Sequence, residues 1–328
     1  MKKHLSPFPE SYEMALKRLY YVENQMARNS EYASACVLIA AHWSAKYKRE
    51  GIRIVFDAAA EVQNVSLSKC LLRGPDFNNT LISTIFKFRE APVAVCGDIK
   101  EMFHQIKIAK EDQDCQRFLW RNGDQNKKVE VYVMQRMIFG VTCSPTIAQF
   151  IENLNAQRFL EEVPRAVHGI IDRHYVDDYV ECFDTEDEAV SVVKDVIKIH
   201  SASGFELRNI ISNLERVVRS CGQSASGGNS CEFLNKDNIE IILGIYWFPS
   251  PDVFCFRINF HKVEKSILEF TKVPTKPEML ALNMSIYDPF GFLCKFMITS
   301  KILMQRIWKA GIGWDEELPI EIHRDWKL

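Results

Sequence analysis

The chain has 328 residues, of which 47% are hydrophobic and 26% are charged, and its formal net charge at pH 7 is −2. This length suffices for a core divided over two or three subdomains, and the composition is that of an ordinary globular protein. The near-neutral charge excludes a global basic field as the basis of any binding to nucleic acid.

The cysteines and the lengths of the apolar stretches indicate the cellular compartment. Ten cysteines are spread along the chain without a CxxC pair, so we expect reduced thiols, as in the cytosol or the nucleus. The N-terminal residues show no signal-peptide pattern, and no apolar stretch approaches eighteen residues. We therefore expect a protein that is neither secreted nor inserted in a membrane.

The N-terminal third is predicted to contain helices and one strand. Residues 10–50 carry apolar side chains at helical spacing, and residues 81–88 form a short helical run. Residues 52–57 have a strand pattern that includes Arg53. The Arg53 side chain either lies on an exposed sheet face or points its planar fork of donors at a triphosphate.

The next elements bring in the first acidic candidate. Residues 93–96 read as a buried strand that carries Asp98 at its C-terminal end, where a rigid sheet would fix the position of a functional side chain. The alternative for Asp98 is a helix N-cap or a turn. Residues 104–108 alternate like a further strand.

A hairpin and a helix are predicted to follow. Residues 117–120 are expected to pair with residues 129–133 across a polar turn. Gly140 would let the backbone approach a ligand closely. Ser144 is expected to be the N-cap of a helix with Pro145 in its first turn. Its core-facing side is expected to carry the large apolar side chains Ile147, Phe150, Ile151 and Leu154.

The segment His174-Tyr175-Val176-Asp177-Asp178-Tyr179-Val180 predicts a β-hairpin with two carboxylates at its tip. Adjacent carboxylates repel each other unless a cation neutralises them, and their hard oxygen atoms suit Mg²⁺ or Mn²⁺. The alternative is a solvated acidic turn.

The C-terminal half has a helix that opens with a capping box at residues 185–188 and ends at Gly204. Residues 220–231 have the composition of a linker, and residues 239–247 and 253–260 are expected to form a hairpin. The remainder, to residue 328, is predicted to be helical with a turn at residues 288–291.

Together, Asp98, Asp177 and Asp178 match what two-metal nucleotidyl transfer requires. In that chemistry two Mg²⁺ ions about 3.5–4 Å apart hold the attacking and leaving oxygens of an in-line displacement. The protein then contributes mainly positioning and charge neutralisation.

The chain resembles the reverse transcriptases of BEL/Pao-type LTR retrotransposons. The resemblance rests on six blocks in order, at residues 52–57, 95–105, 139–145, 175–178, 243–247 and 287–293. It implies an α+β right-hand polymerase fold with an antiparallel palm sheet backed by helices. The implied division is 1–91 fingers, 92–106 palm, 107–143 fingers, 144–248 palm and 249–328 a thumb-like helical region.

The resemblance also implies roles for individual residues. Asp98, Asp177 and Asp178 would hold the catalytic metal ions, two Mg²⁺ or alternatively Mn²⁺. The nucleotide site would contain Lys46 (or Lys48), Arg53, Phe103, Phe139 and Gly140, with Phe103 closing off the sugar 2′ position. The primer grip would consist of Leu243, Gly244, Ile245, Tyr246 and Trp247.

The implied partners are an RNA or DNA template with its primer, deoxynucleoside triphosphates and other parts of a polyprotein, in the cytoplasm, a virus-like particle or the nucleus. One departure from the family is Asn209, where a Lys is usual, next to Arg208. Arg cannot act as a general acid because it holds its proton too tightly. No protease, RNase H or integrase motif is evident. The alternative hypothesis is therefore a decayed or domesticated element that binds nucleic acid without efficient catalysis.

Overall fold

The computed structural model of the chain describes residues 11–30, 32–33, 36, 55–222, 239–256, 260–261 and 263–327. Its helices are α1 Tyr12–Arg28, α2 Leu67–Cys70, α3 Leu81–Lys87, α4 Met102–Gln105, α5 Ser144–Gln157, α6 Pro164–Arg173, α7 Glu186–Ala202, α8 Glu215–Cys221, α9 Lys265–Leu268, α10 Lys276–Met284, α11 Cys294–Lys309 and α12 Ile320–Trp326. Its strands are β1 Val93–Ile99, β2 Arg117–Trp120, β3 Glu130–Val133, β4 His174–Tyr175, β5 Asp178–Phe183, β6 Leu207–Ser212, β7 Glu240–Ile242, β8 Ile245–Phe248 and β9 Val253–Cys255.

The strands form three sheets. The four-stranded sheet has the order β4-β5-β1-β6, β2 pairs with β3, and the third sheet has the order β7-β8-β9. The pairs β4–β5, β2–β3, β7–β8 and β8–β9 are antiparallel. The predicted α+β class with antiparallel sheet is confirmed.

The chain divides into two compact units. The first comprises Met1–Asn79, Gly97–Tyr179 and Ser191–Asn209. Its described residues include an apolar cluster with the buried members Leu19, Met26, Leu119 and Trp120, and another with the buried members Ala58, Met134, Ile138 and Val141.

The second unit comprises Thr80–Cys96, Val180–Val190 and Ile210–Leu328. One of its clusters is built from Phe88, Ala94, Cys96, Val180, Ile242 and Trp247. The other lies among the C-terminal helices and contains Met279, Leu303, Met304, Ile307, Leu318 and Ile322.

Helix α5 packs with a different face from the one predicted. Phe150 and Leu154 are 51% and 52% exposed, whereas its buried residues are Ser144, Ala148, Gln149, Glu152, Asn155 and Ala156. The small Ala148 and Ala156 side chains allow close packing on this face, and Asn155 Nδ2 donates to the Ile199 carbonyl at 2.7 Å. The helix also begins at Ser144 itself, whose hydroxyl donates to the Ile138 carbonyl at 2.8 Å instead of capping the helix.

The strand predicted at residues 104–108 is also wrong. Residues 102–105 form the helical turn α4, which follows Glu101 in the left-handed region (φ 48°). Phe103 and Ile106 are both buried, three positions apart, which is helical and not strand spacing. Alternation over five residues was too short to distinguish the two periods.

Several other predictions are confirmed. The β2–β3 register places Arg117 opposite Val133 and Trp120 opposite Glu130. Before helix α7, the Thr185 side chain accepts a hydrogen bond from the Glu188 amide, and after the helix Gly204 has φ 81°.

The hairpin predicted from residue 239 is instead a sheet of three strands, because Leu243 and Gly244 form a turn within its first predicted strand.

Two predicted segments are described only in part. Of the predicted strand at residues 52–57, only residues from Val55 onward are described, and Val55 forms a single parallel bridge with Phe139. Most of the linker at residues 220–231 lies outside the described residues. Within the part of the chain that is described, no helix has the length and apolar character needed to cross a membrane.

Candidate active site

The acidic hairpin is formed by β4 and β5. Tyr175 pairs with Asp178 across the hairpin, so Val176 and Asp177 form a two-residue turn. Val176 has φ 60°, a conformation that a β-branched residue rarely adopts. The predicted hairpin is confirmed, with Asp177 in the turn and Asp178 as the first residue of β5.

Asp98 lies next to this hairpin in the sheet. It is the penultimate residue of β1, and the amide of the following residue, Ile99, donates to the Asp177 carbonyl at 2.8 Å. Two acidic segments that are distant in sequence are therefore neighbours, and the backbone holds them together.

The Asp98 carboxylate is engaged on its other side by β6. Arg208 Nε donates to Oδ2 at 3.0 Å, and the side-chain amide of Asn209 donates to Oδ1. Asn209 has φ 52°, a region that Asn tolerates better than most residues. Both Asp98 oxygens thus already accept charge-assisted or amide hydrogen bonds, and the Arg208–Asp98 ion pair is about three-quarters buried on both sides.

The three aspartates offer hard oxygen ligands on neighbouring strands, which fits Mg²⁺ by chemistry. They do not form a closed cluster: in the described ranges, only Glu152, His174 and His200 bring three such ligand atoms within 4.8 Å of one another. An ion bound by the aspartates would have to compete with Arg208 and Asn209 for Asp98.

The predicted nucleotide-site residues Phe103 and Phe139 are in contact. Their ring centroids are 4.7 Å apart, and Phe103 is 9% exposed. Gly140 has φ 94°, and a Cβ there would lie 1.9 Å from the Phe56 carbonyl oxygen. This glycine therefore permits a close approach to the backbone of residue 56. The predicted approach to a ligand stays a prediction.

The predicted triphosphate contacts Lys46 and Arg53, and the alternative Lys48, lie outside the described residues.

The predicted primer grip forms the β7–β8 hairpin. Its turn consists of Leu243 and Gly244, with φ 48° and 87°. The Tyr287 hydroxyl donates to the Leu243 carbonyl at 3.0 Å, and a Cβ on Gly244 would lie 2.9 Å from the Tyr287 ring. Trp247 is fully buried and donates to Asp252 Oδ1 at 3.0 Å. Two of the six motif blocks, at residues 243–247 and 287–293, are therefore in direct contact.

Sequence reasoning missed a buried polar cluster behind the hairpin, formed by Glu152, His174 and His200. His174 Nδ1 lies 3.2 Å from Glu152 Oε1, and the Nε2 atoms of His174 and His200 are 3.2 Å apart. The residues come from three elements, so their spacing in sequence carried no signal. The one available indication was that His174 directly precedes the acidic motif.

Burial dominates the electrostatics of this cluster. It raises the pKa of Glu152 well above the usual value, and the negative charge of Asp177 adds to the effect. Burial lowers the pKa of His174 well below its usual value, with His200 contributing, and it lowers the pKa of His200 to about 3. Both imidazoles are therefore neutral near pH 7.

Two family models match the chain. Residues 60–210 match reverse transcriptase (RNA-dependent DNA polymerase), and residues 275–328 match the Pao retrotransposon-like RNaseH-like domain. The second match covers α10–α12, where the resemblance implied a thumb-like region. The expectation that the chain carries no RNase H motif is therefore wrong for this segment. No curated protein matches the chain.

Solved structures that are similar to it include two complexes of the foamy viral protease–reverse transcriptase. A foamy viral protease–reverse transcriptase in complex with double-stranded DNA is 14% identical, with a TM-score of 0.48, over 84% of this chain and 40% of the other. The foamy viral protease–reverse transcriptase in complex with an RNA/DNA hybrid is 15% identical, with a TM-score of 0.46, over 76% and 28%. The chain thus spans less than half the length of either.

The two family matches confirm the resemblance inferred from the sequence motifs. The first contains Asp98, Asp177 and Asp178, and the second overlaps the motif block at residues 287–293. The chain is thus similar to the reverse transcriptase (RNA-dependent DNA polymerase) family over residues 60–210 and to the Pao retrotransposon-like RNaseH-like domain over residues 275–328.

Proposed function

We propose that the chain is the RNA-directed DNA polymerase module of a Pao-type retrotransposon, which adds deoxynucleotides to a primer 3′ end on an RNA or DNA template. The observation that carries the proposal is the hydrogen bond from Ile99 to Asp177, because it holds Asp98 beside the acidic hairpin. Polymerisation requires carboxylates from separate strands to converge on one reacting phosphate.

Asp98, Asp177 and Asp178 would hold the divalent ions of this reaction, Mg²⁺ or alternatively Mn²⁺. When bound, these ions neutralise the charge of the triphosphate and lower the pKa of the primer 3′ hydroxyl. The contribution of the chain is to position the three carboxylates on a buried sheet. Strand β5 supports this role, since all of its residues after Asp178 are buried.

Phe103 would exclude a ribose 2′ hydroxyl from the nucleotide site. Its contact with Phe139 supports this role, because a packed ring resists displacement by an added hydroxyl. Phe139 and Gly140 would lie against the nascent base pair, and Arg53 and Lys46 would contact the triphosphate.

The turn at Leu243 and Gly244 would guide the primer 3′ end. The buried Trp247 and the hydrogen bond from Tyr287 support this role, since they hold the turn rigid. We also propose the fingers, palm and thumb-like division given above, and the remainder of a polyprotein as a partner.

One observation favours the alternative, binding without efficient turnover. Asn209 and Arg208 occupy both Asp98 oxygens, and neither side chain can donate a proton to the departing pyrophosphate. Catalysis would then rely on solvent for that proton and on the ions displacing two hydrogen bonds.

Primer extension on an RNA template tests the proposal. The full chain should extend a DNA primer in the presence of Mg²⁺, and Asp177→Asn should abolish the extension. Asp315→Asn, which changes an exposed carboxylate outside the site, should leave it intact. Tight primer–template binding with no extension above the Asp177→Asn background would reject polymerase activity and support the alternative.

A further inference from the structure

The cluster of Glu152, His174 and His200 has the composition of a transition-metal site. Glu152 is on α5, His174 is the first residue of β4, and His200 is near the end of α7. The three residues are only 2%, 3% and 1% exposed. One carboxylate and two imidazoles are the ligands of a common class of Zn²⁺ site with three protein ligands.

Two atoms of the cluster lack a hydrogen-bond partner. Glu152 Oε1 and His174 Nδ1 are both buried and unpaired, although they lie only 3.2 Å apart. The two atoms are thus close to each other without being hydrogen-bonded. Ligand atoms that are directed at a common ion, and not at one another, have this arrangement.

The distances suit a shared ion. With bonds of about 2.0–2.1 Å, the ligands of a tetrahedral Zn²⁺ lie about 3.3 Å apart. Glu152 Oε1 is 3.2 Å from His174 Nδ1 and 3.9 Å from His200 Nε2. His174 Nε2, its other ring nitrogen, lies 3.2 Å from His200 Nε2, so the two short contacts of His174 are made by different nitrogens. One ligand atom from each of the three residues lies within 4.8 Å of the other two, and His174 would bind the ion through one of its nitrogens.

The charges also suit a cation. Neutral imidazole and carboxylate are the forms that coordinate metal ions, and a binding cation releases any proton that these ligands carry. The Glu152 side chain lies beside two imidazoles, at 3.2 Å and 3.9 Å. A buried carboxylate is strongly disfavoured unless it is protonated or neutralised by a cation.

We propose that Glu152, His174 and His200 bind one Zn²⁺-class ion beneath the acidic hairpin, and that this ion fixes the position of β4. The site differs from the proposed Mg²⁺ site in its nitrogen ligands, which select Zn²⁺ and related ions over Mg²⁺. His174 is three residues before Asp177, so an ion here would hold the base of the hairpin. The proposal does not depend on polymerase activity.

Metal content of the full chain is the direct test. After expression in zinc-supplemented medium and gel filtration, elemental analysis should find close to one Zn²⁺ per chain. Reconstitution of the metal-stripped protein with Co²⁺ should produce the visible absorption of a four-coordinate nitrogen and oxygen site. Mg²⁺ in excess should not displace either ion.

Matched variants locate the ion. Glu152→Gln and His200→Gln should each weaken Zn²⁺ binding at least tenfold, while Glu162→Gln and His168→Gln, which change exposed residues, should have no effect. A zinc chelator should lower the melting temperature of the wild-type chain and leave that of folded His200→Gln unchanged.

The wild-type measurement keeps the test decisive even when a variant fails to fold. A folded wild-type chain without stoichiometric Zn²⁺ and without a Co²⁺ spectrum would overturn the proposal, and the cluster would then be a hydrogen-bonded network that shares protons. Zinc that remains bound at full stoichiometry in folded Glu152→Gln and His200→Gln would also overturn it.

Discussion

The side-chain amide of Asn209 donates to Oδ1 of Asp98. The family that this chain resembles usually has a lysine in place of Asn209. The carboxylate that we propose to bind metal ions is therefore held by a neutral amide, which cannot act as an acid. Arg208 holds the other carboxylate oxygen. The two contacts affect different properties of the site. The residue at position 209 determines whether a proton donor is present, and Arg208 affects how readily Asp98 can bind metal ions.

Restoring a proton donor should accelerate the reaction. We expect Asn209→Lys to raise the single-turnover rate of primer extension about tenfold or more, because general acids contribute about 10²–10⁴-fold. Asn209→Arg is the matched control, since it introduces the same charge without a releasable proton. An equal gain from both substitutions would show that charge, and not proton transfer, is the cause.

Removing the Arg208 guanidinium should make Asp98 more available to metal ions. Partly exposed ion pairs contribute about 0.5–1 kcal/mol, so we expect Arg208→Gln to lower the Mg²⁺ concentration for half-maximal extension about two- to fivefold. The comparison is Arg219→Gln, which removes an exposed ion pair with Glu215 in α8. A higher Mg²⁺ requirement in Arg208→Gln would mean that Arg208 positions the carboxylate instead of competing for it.

Val176 in the hairpin turn should carry conformational strain. A left-handed conformation costs about 1–3 kcal/mol for a non-glycine residue, and glycine costs about 0.5–1 kcal/mol in lost chain entropy. Val176→Gly should therefore raise the free energy of unfolding by up to about 2 kcal/mol in urea titrations. Val176→Ala removes the β-branch but keeps a Cβ, so it should give a smaller gain; an alanine variant as stable as the glycine variant would refute the explanation.

Gly140 should be intolerant of any side chain. An alanine Cβ would lie 1.9 Å from the Phe56 carbonyl oxygen, so Gly140→Ala requires the backbone to move and should cost about 3 kcal/mol or more of stability. Gly204→Ala separates the two contributions, because Gly204 has a similar φ of 81° and no atom within 4 Å of the added Cβ. Urea denaturation should show a loss of about 1–2 kcal/mol for Gly204→Ala. Equal losses in the two variants would show that the steric contact with the Phe56 carbonyl oxygen makes no contribution.

Local sequence signals determined much of this protein. The β-branched and aromatic residues around Asp177 predicted the hairpin of β4 and β5. The alternation at residues 129–133 predicted strand β3, which pairs with β2. The apolar run before Asp98 predicted a buried strand with the acid near its end. These features depend on neighbours in sequence, so composition and spacing are sufficient to identify them.

Contacts between distant elements were decided only by the tertiary structure. Helix α5 has an apolar face with Phe150 and a small, polar face with Glu152, and periodicity favoured the first. The second is buried because Ala148 and Ala156 allow close packing and because the amide of Asn155 is paired with another helix. A pattern along one helix reports which side chains could be buried, but the partner surface determines which of them are.

Tertiary structure also explains two further contacts. These are the hydrogen bond from Ile99 to Asp177 and the cluster of Glu152 with His174 and His200. Each joins residues that no local rule relates, and each depends on strand order and helix packing. The sequence by itself determined which acids could do the chemistry. Only folding decided that they become neighbours, and that a buried carboxylate lies beneath them, since sheet order is set by the packing of the whole chain.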